Sequence, residues 1–392
     1  MSDGRSIELF TGAGGLALGL ENSGWRHDAL IEWNRDACAT IRLNREKRFP
    51  LAKSWNLIEE DVSSIDYTKL FKDVALVAGG PPCQPFSLGG KHRGQHDRRD
   101  MFPEAVRAVR ELCPMAFVFE NVRGLMRESF STYFNYVILQ LTHPTVARRP
   151  TEDIEGHLRR LEKRHTANLP DDLQYQVVFR CLNAADYGVP QNRYRVFIVG
   201  FRSDLGRSWA FPKSTHNYDK LLWSKWVTGD YWEEHKISKS NRAAPPAKLE
   251  SRIERLRSDY VLFEPSGLRV RTVRDALKGI DSPLRNRLSS KWLNHEHREG
   301  ARTYPGHTGS QLDEPAKTLK AGDHGVPGGE NMFADDRGML RYFSAREGAR
   351  LQTFPDDYEF AGSWSECMRQ IGNAVPVQLA QTVGRSIRSQ LN

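Results

Sequence analysis

The sequence predicts an α/β fold, a largely parallel sheet with helices on both faces, interrupted by a smaller inserted domain. Three observations support that class. Apolar runs of strand length alternate with helix-length runs over the first 120 residues. A glycine-rich turn, Gly12-Ala13-Gly14-Gly15, joins the first apolar run to a helix. The alternation stops between about residues 202 and 310, and clear helices return near the C-terminus.

The elements follow in order. "SIELF" (6–10) reads as a strand and "GGLALGLENSG" (14–24) as a helix closed by Gly24. "DALIE" (28–32) is the next strand, with helical "NRDACATIRLN" (34–44) after it. "VALVAG" (74–79) and "MAFVFEN" (115–121) are strands separated by helical "PEAVRAVREL" (103–112). Residues 145–172 are highly charged, as in a surface helix or insertion, and "YQVVFRCL" (175–182) and "YRVFIVGF" (194–201) restore the strand signal. Ser344 and Glu347 make a capping box opening "AREGARLQ", and Pro376 suits the first turn of the last helix. Ligands of open parallel sheets bind beyond the carboxyl ends of the strands. Gly12, Glu32, Cys83 and Glu120 all fall at such ends.

Composition narrows the function classes. Hydrophobic residues make up 39% of the chain, enough for a core, and no apolar run approaches the roughly 20 residues that span a bilayer. The N-terminus enters a strand at once, so no targeting segment and a cytoplasmic location are expected. Five scattered cysteines without a C-x-x-C pair point to a reducing compartment and no structural metal. His295 and His297 read as solvated side chains rather than ligands. The net charge of +8 sits in residues 201–302, where 21 Lys and Arg face 13 Asp and Glu and five of nine tryptophans lie. That mixture suits a polyanion with stackable bases, or a small domain with its own aromatic core.

Two readings of the glycine turn stay open at this level. Gly12-x-Gly14-x-x-Ala17 with Glu32 about 20 residues on matches a dinucleotide fingerprint, so an NAD oxidoreductase is a rival. The alternative is a different cofactor serving a cysteine nucleophile. Cys83 stands on a rigid Pro/Gly loop at a strand end and needs positive surroundings for reactivity; Arg193 and Arg195, two apart on one strand, could supply them or could form an exposed basic edge. Asp61 is a third acid able to accept from an adenine amino group.

Six blocks in fixed order decide between them: "FTGAGG" (10–15), "GGPPCQPFS" (79–87), "FENV" (119–122), "QNRYR" (191–195), "SAREGARLQTFP" (344–355) and "QIGNAVP" (370–376). In these the chain resembles the cytosine-5 DNA methyltransferases, in particular compact bacterial members of restriction–modification systems. The resemblance implies a Rossmann-like methyltransferase domain in two parts, 1–201 and 311–392, around a target recognition domain at 202–310. It implies methyl transfer from S-adenosyl-L-methionine, without a metal, to C5 of a cytosine flipped out of double-stranded DNA. Cys83 would add to C6, making C5 enamine-like, and Glu120, at least partly protonated, would engage the N3 edge. Arg193 and Arg195 would hold the target phosphate or base.

By the same resemblance Phe10, Gly12 and Gly14 border the cofactor and Glu32 takes its ribose hydroxyls. Trp33 stacks on adenine, Asp61 and the Val62 backbone bind the adenine edge, and Asn373 and Val375 complete the pocket. Residues 87–102 resemble the catalytic loop, with Gln84 and Ser87 as candidates to fill the vacated space. Glu8 and Thr11 depart from the pattern, where aspartate and alanine are commoner. A monomer is expected, with a cognate endonuclease as a possible partner. A tRNA cytosine-5 methyltransferase and a catalytically silent DNA-binding module remain as rivals.

Overall fold

The structure is a computed structural model that describes residues 4–83, 100–167, 172–258, 264–283, 291–302, 308–321, 331–335 and 338–391. Gln84 and Ser87, with most of the expected catalytic loop, lie outside the described residues. The chain divides into two compact units, Met1–Leu182 with Tyr194–Pro212 and Phe354–Asn392, and Asn183–Arg193 with Lys213–Thr353.

The first unit is built on seven strands: β1 (Arg5–Leu9), β2 (Arg26–Ile31), β3 (Leu57–Ile58), β4 (Leu76–Gly79), β5 (Ala116–Val122), β6 (Tyr175–Asn183) and β7 (Tyr194–Arg202). Their order across the sheet is β3-β2-β1-β4-β5-β7-β6. The pairs from β3 to β5 are parallel, and β7 runs antiparallel to β5. The central strands are apolar on both faces, as burial between helix layers requires. The helices of this unit are α1 (Gly15–Asn22), α2 (Arg35–Glu46), α3 (Tyr67–Leu70), α4 (Phe102–Leu112), α5 (Ser131–Thr142) and α6 (Ile154–Thr166). The core joins Ile7, Leu9, Val77, Phe117 and Phe119 of the strands to Val106 and Val109 of α4 and Val137 and Leu141 of α5. No described helix is long and apolar enough to cross a membrane.

The second unit holds β8 (His216–Asn217), α7 (Tyr218–Trp226), α8 (Asp230–Glu234), α9 (Glu250–Ser258), β9 (Leu268–Arg269), α10 (Val273–Leu277), β10 (Ser310–Gln311), β11 (Met332–Ala334), β12 (Leu340–Tyr342) and α11 (Ala345–Leu351). Trp232 and Trp223 anchor two small apolar clusters there, so these tryptophans serve a core. The unit extends past the expected boundary at 310 as far as Thr353. The reason is local: α11 packs on α10, and Arg350 donates to the carbonyls of Ala276 and Lys278. The capping box on α11 forms as its sequence requires. His295, expected to be solvated, is instead buried, bonded to Ser344 Oγ at 2.7 Å and to the Asp281 carbonyl at 2.6 Å.

The chain re-enters the first unit through α12 (Trp364–Asn373) and α13 (Val377–Leu391). There α13 packs on α1, and Trp25 donates to the Gly384 carbonyl at 3.0 Å. A C-terminal segment about 350 residues from the glycine turn is thereby fixed beside it.

Candidate active site

A cavity of about 800 Å³ opens in the first unit at the ends of β1, β2, β4 and β5. That volume suits a cofactor with part of a substrate. Its lining includes Phe10, Gly12, Glu32, Trp33, Asp61, Val62, Cys83, Glu120, Arg195, Asn373 and Val375. The structure therefore brings together residues separated by as much as 365 positions.

The β1–β2 side is shaped by backbone. Gly12 has φ +57° and no atom within 4 Å of where a Cβ would stand, so the missing side chain leaves cavity space. Glu32 is buried and accepts from three amides, Gly12 N at 2.7 Å, Trp33 N at 3.0 Å and Asn34 N at 2.7 Å. It thus ties the glycine turn to the start of α2, a role its sequence position did not reveal. Trp33 is 73% exposed, so it is not a core side chain, and its ring is available for stacking. Asp61 caps the next turn by accepting from Ser63 N at 2.9 Å. Gly14 lies outside the lining, contrary to expectation. A Cβ there would stand 3.0 Å from the Trp55 ring, and φ is +83°, so this glycine serves packing.

Glu8 is a wall residue that sequence reasoning mentioned only as a departure. It is 1% exposed, and its Oε2 has no hydrogen-bond partner among the described residues. Burial first, and then the nearby Glu21 and Glu32, push its carboxyl well above the usual range, against a hydrogen bond from Ala17. An orphaned acid, a space at Gly12 and an exposed indole together fit a cofactor bearing a donor group, hydroxyls and an adenine.

The β4–β5–β7 side is shaped by side chains. Asn121 Nδ2 donates to the Pro81 carbonyl at 2.8 Å and Met101 N to the Pro82 carbonyl at 3.0 Å, so the loop bearing Cys83 is held from both flanks. Burial first, then the Asp100 carboxylate, push the Cys83 thiol up to about 11, while its hydrogen bond with the Tyr133 hydroxyl acts the other way. The positive field expected around this sulfur is not what acts on it. Arg195 instead pairs with Glu120, Nε to Oε1 at 2.8 Å. The antiparallel course of β7 explains this, because it sets Arg195 opposite Val122, one same-face position from Glu120. A guanidinium so close occupies the carboxylate that was expected to meet the N3 edge.

Arg193 does not share the strand with Arg195, since β7 begins at Tyr194. It belongs to the second unit, where it is fully buried and donates through Nη1 to the Leu319 carbonyl at 3.1 Å. Asn183 fixes the bend there by accepting from Arg193 N at 3.0 Å. Also in that unit, Glu234, His235 and Asp275 converge closely enough to suggest a cation site. Arg269 already supplies the cation, at 2.8 Å from Glu234 and 2.6 Å from Asp275.

A family model described as C-5 cytosine-specific DNA methylase matches residues 4–143 and 154–389. Among curated proteins the chain is similar to Type II methyltransferase M.PspPI of Psychrobacter sp. (strain TA137), 32% identical over 393 residues, which span 98% of this chain and 79% of that one. It is also 33% identical to Type II methyltransferase M.Eco47II of Escherichia coli, over 97% of this chain and 78% of that one. Among solved structures it resembles a putative DNA modification methyltransferase encoded within an E. coli prophage, with a TM-score of 0.57 and 20% identity over 99% of each chain. The S. pombe Dnmt2 methyltransferase gives a TM-score of 0.56 at 20% identity, over 99% of this chain and 98% of that one. At such identities the two structures speak for the fold alone.

Proposed function

The chain belongs to the C-5 cytosine-specific DNA methylases, and on that premise we propose that it is the modification enzyme of a type II restriction–modification system, with Cys83 as its nucleophile. Its reaction is methylation of cytosine C5 in DNA with S-adenosyl-L-methionine as donor. The observation that carries the residue assignment is the single cavity into which Cys83, Glu120, Gly12, Glu32 and Trp33 all open. The cofactor supplies an electrophilic methyl group on a sulfonium centre.

The residues divide the remaining work. Trp33 stacks on the adenine, Asp61 and the Val62 backbone meet its edge, and Glu32 accepts from the ribose hydroxyls. Phe10, Asn373 and Val375 close the pocket around them. Cys83 Sγ attacks C6 of a cytosine extruded from the duplex, and the electron pair displaced to C5 takes the methyl group. Glu120 binds the N3 and amino edge. Arg195, its present partner, turns to the incoming nucleotide, so that Glu120 exchanges a guanidinium for a base proton. No metal enters these steps. The second unit, with its surplus of Lys and Arg, reads the target sequence and holds phosphates. We assign the enzyme to the cytoplasm, as a monomer alongside an endonuclease cutting the same site.

Methyl transfer to unmethylated duplex DNA and to tRNA, each measured for the wild type and for Cys83→Ala, tests this reading. Transfer to duplex DNA that Cys83→Ala abolishes is expected. Transfer to tRNA alone overturns the substrate, and a Cys83→Ala protein that turns over overturns the nucleophile.

A further inference from the structure

Arg107, Arg160 and Arg202 of the first unit each pair with a carboxylate, at 2.7, 2.7 and 2.8 Å. Arg123 and Arg127, close to the cavity, are exposed and have no ion-pair partner among the described residues. They flank the tight turn Arg123–Met126 that follows β5, where residues 122–127 include no acid and the exposed Glu128 comes next. The turn is pinned, because Leu125 is buried in the core and Arg127 N donates to the Gly124 carbonyl at 3.2 Å. Free guanidinium forks on a fixed turn suit phosphate oxygens, which they meet two at a time.

Three apolar or aromatic side chains stand in the open beside them. Val122 is 50% exposed, Met126 41% and Tyr194 43%. The Arg123 guanidinium lies 5.2 Å from the centre of the Tyr194 ring, which supports it as a flat platform. Exposed apolar surface grouped with unpaired cations marks a contact surface. Its place fixes the partner. Val122 lines the cavity and sits across the ladder from Arg195, the residue bonded to Glu120. On the same face of β5, Val122 stands about 7 Å beyond Glu120. A base that reaches Glu120 enters past this lip, and the backbone attached to it stays outside, where the arginines are.

We propose that Val122, Arg123, Met126, Arg127 and Tyr194 form a lip that holds the sugar–phosphate backbone of the DNA strand carrying the target cytosine. The proposal rests on the reading that the cavity takes an extruded cytosine. Arg123 and Arg127 meet the phosphates flanking that nucleotide, and Val122 and Met126 pack against the neighbouring deoxyribose. Tyr194 keeps the Arg123 guanidinium in place and is a positioning residue. The lip touches no base edge, so it adds affinity and orientation without sequence preference. Two unpaired cations continuous with a base pocket complement a polyanion.

The test is binding of a short duplex carrying the enzyme's own methylation motif, mapped by bisulfite sequencing, over a range of salt concentrations. Wild type is compared with Arg123→Ala, Arg127→Ala, Tyr194→Ala and Tyr194→Phe. The control is Lys69→Ala on α3, which leads into the end of β4 opposite the cavity. Each arginine variant is expected to lower the slope of log Kd against log salt by about 1 and to weaken binding roughly tenfold. Tyr194→Ala should match Arg123→Ala, while Tyr194→Phe, which keeps the ring, stays near wild type. Calorimetric cofactor Kd and the transfer rate at saturating DNA should stay within about threefold of wild type in all of them. Uncharged methylphosphonates placed singly along the target strand locate the contact. Those within about two phosphates of the cytosine should weaken the wild type and leave Arg123→Ala unaffected. An unchanged slope in both arginine variants, a loss no greater than that of Lys69→Ala, or sensitive phosphates on the other strand overturns the proposal. So does weakened tRNA binding with duplex binding intact. Wild-type protein that methylates no duplex DNA overturns the reading of the cavity instead, and is seen separately.

Discussion

Two acids at the ends of β2 and β5, Glu32 and Glu120, are equally buried at 7% exposure but held in different ways. Three backbone amides grip Glu32, while Glu120 meets the guanidinium of Arg195. Amides cannot leave, so Glu32 stays where the strand and turn put it and offers its remaining lone pairs to a ligand. An arginine side chain can turn away, so Glu120 can change partner. On the proposed assignment, the cofactor side is therefore preformed in the backbone, whereas the catalytic side is held by side chains that can change partner.

Exchanging each acid for its amide sharpens this contrast most. Glu120→Gln is expected to slow methyl transfer at saturating cofactor by roughly 10²- to 10³-fold, with cofactor Kd within about threefold of wild type. Glu32→Gln is expected to do the reverse, weakening the cofactor by about 2 kcal/mol through lost charge-assisted bonds, with a smaller effect on the saturated rate. Stopped-flow transfer rates and calorimetric Kd values separate the two. Equal loss of both constants in both variants breaks the contrast.

A smaller effect follows from pH. His27 on β2 is buried between Ser6 Oγ and the Ala17 carbonyl, and burial lowers its pKa to about 4, against that carbonyl's opposing pull. Its folded pKa lies below the ordinary 6.5, so the neutral ring stabilises the fold above that pH, and the contribution is lost as pH falls towards 4. The loss amounts to about 3 kcal/mol at most, concentrated in the β1–β2 half. Denaturant unfolding across this interval should show a slope that His27→Gln flattens.

The smallest expected effect separates two glycines two residues apart. Gly12→Ala places its methyl in open cavity at φ +57°, so it should cost about 1 kcal/mol of stability and weaken the cofactor more. Gly14→Ala meets Trp55 and the Tyr358 hydroxyl at φ +83°, so it should lower the melting temperature further while sparing cofactor affinity in the folded fraction. Identical behaviour of the pair would show that the turn works as one packing unit.

Much of this was legible in the sequence because it is local. Strand and helix periods locate β1, β2, β4, β5, α1, α2 and α4, and the resemblance in six blocks points to the residues of the cavity. What stayed hidden depends on how distant segments meet. The direction of β7 gives Arg195 its partner, and nothing in "QNRYR" encodes that direction. Arg193 looks equivalent to Arg195 in spacing, yet the strand begins one residue after it. Gly14 looks like a ligand-binding glycine until Trp55 is found against it. Tyr133 carries no signal at all, since a tyrosine on an apolar helix reads as core until its hydroxyl is seen donating to the Asp100 carboxylate.

Duplex DNA bearing 5-fluorocytosine addresses the nucleophile most directly, because a C5–F bond blocks the proton loss that releases the sulfur. Incubated with S-adenosyl-L-methionine, the wild-type enzyme should form a denaturant-stable adduct that peptide mapping places on Cys83, and Cys83→Ala should form none. Methyl transfer to ordinary cytosine without any such adduct, or an adduct on one of the other four cysteines, would contradict the assignment.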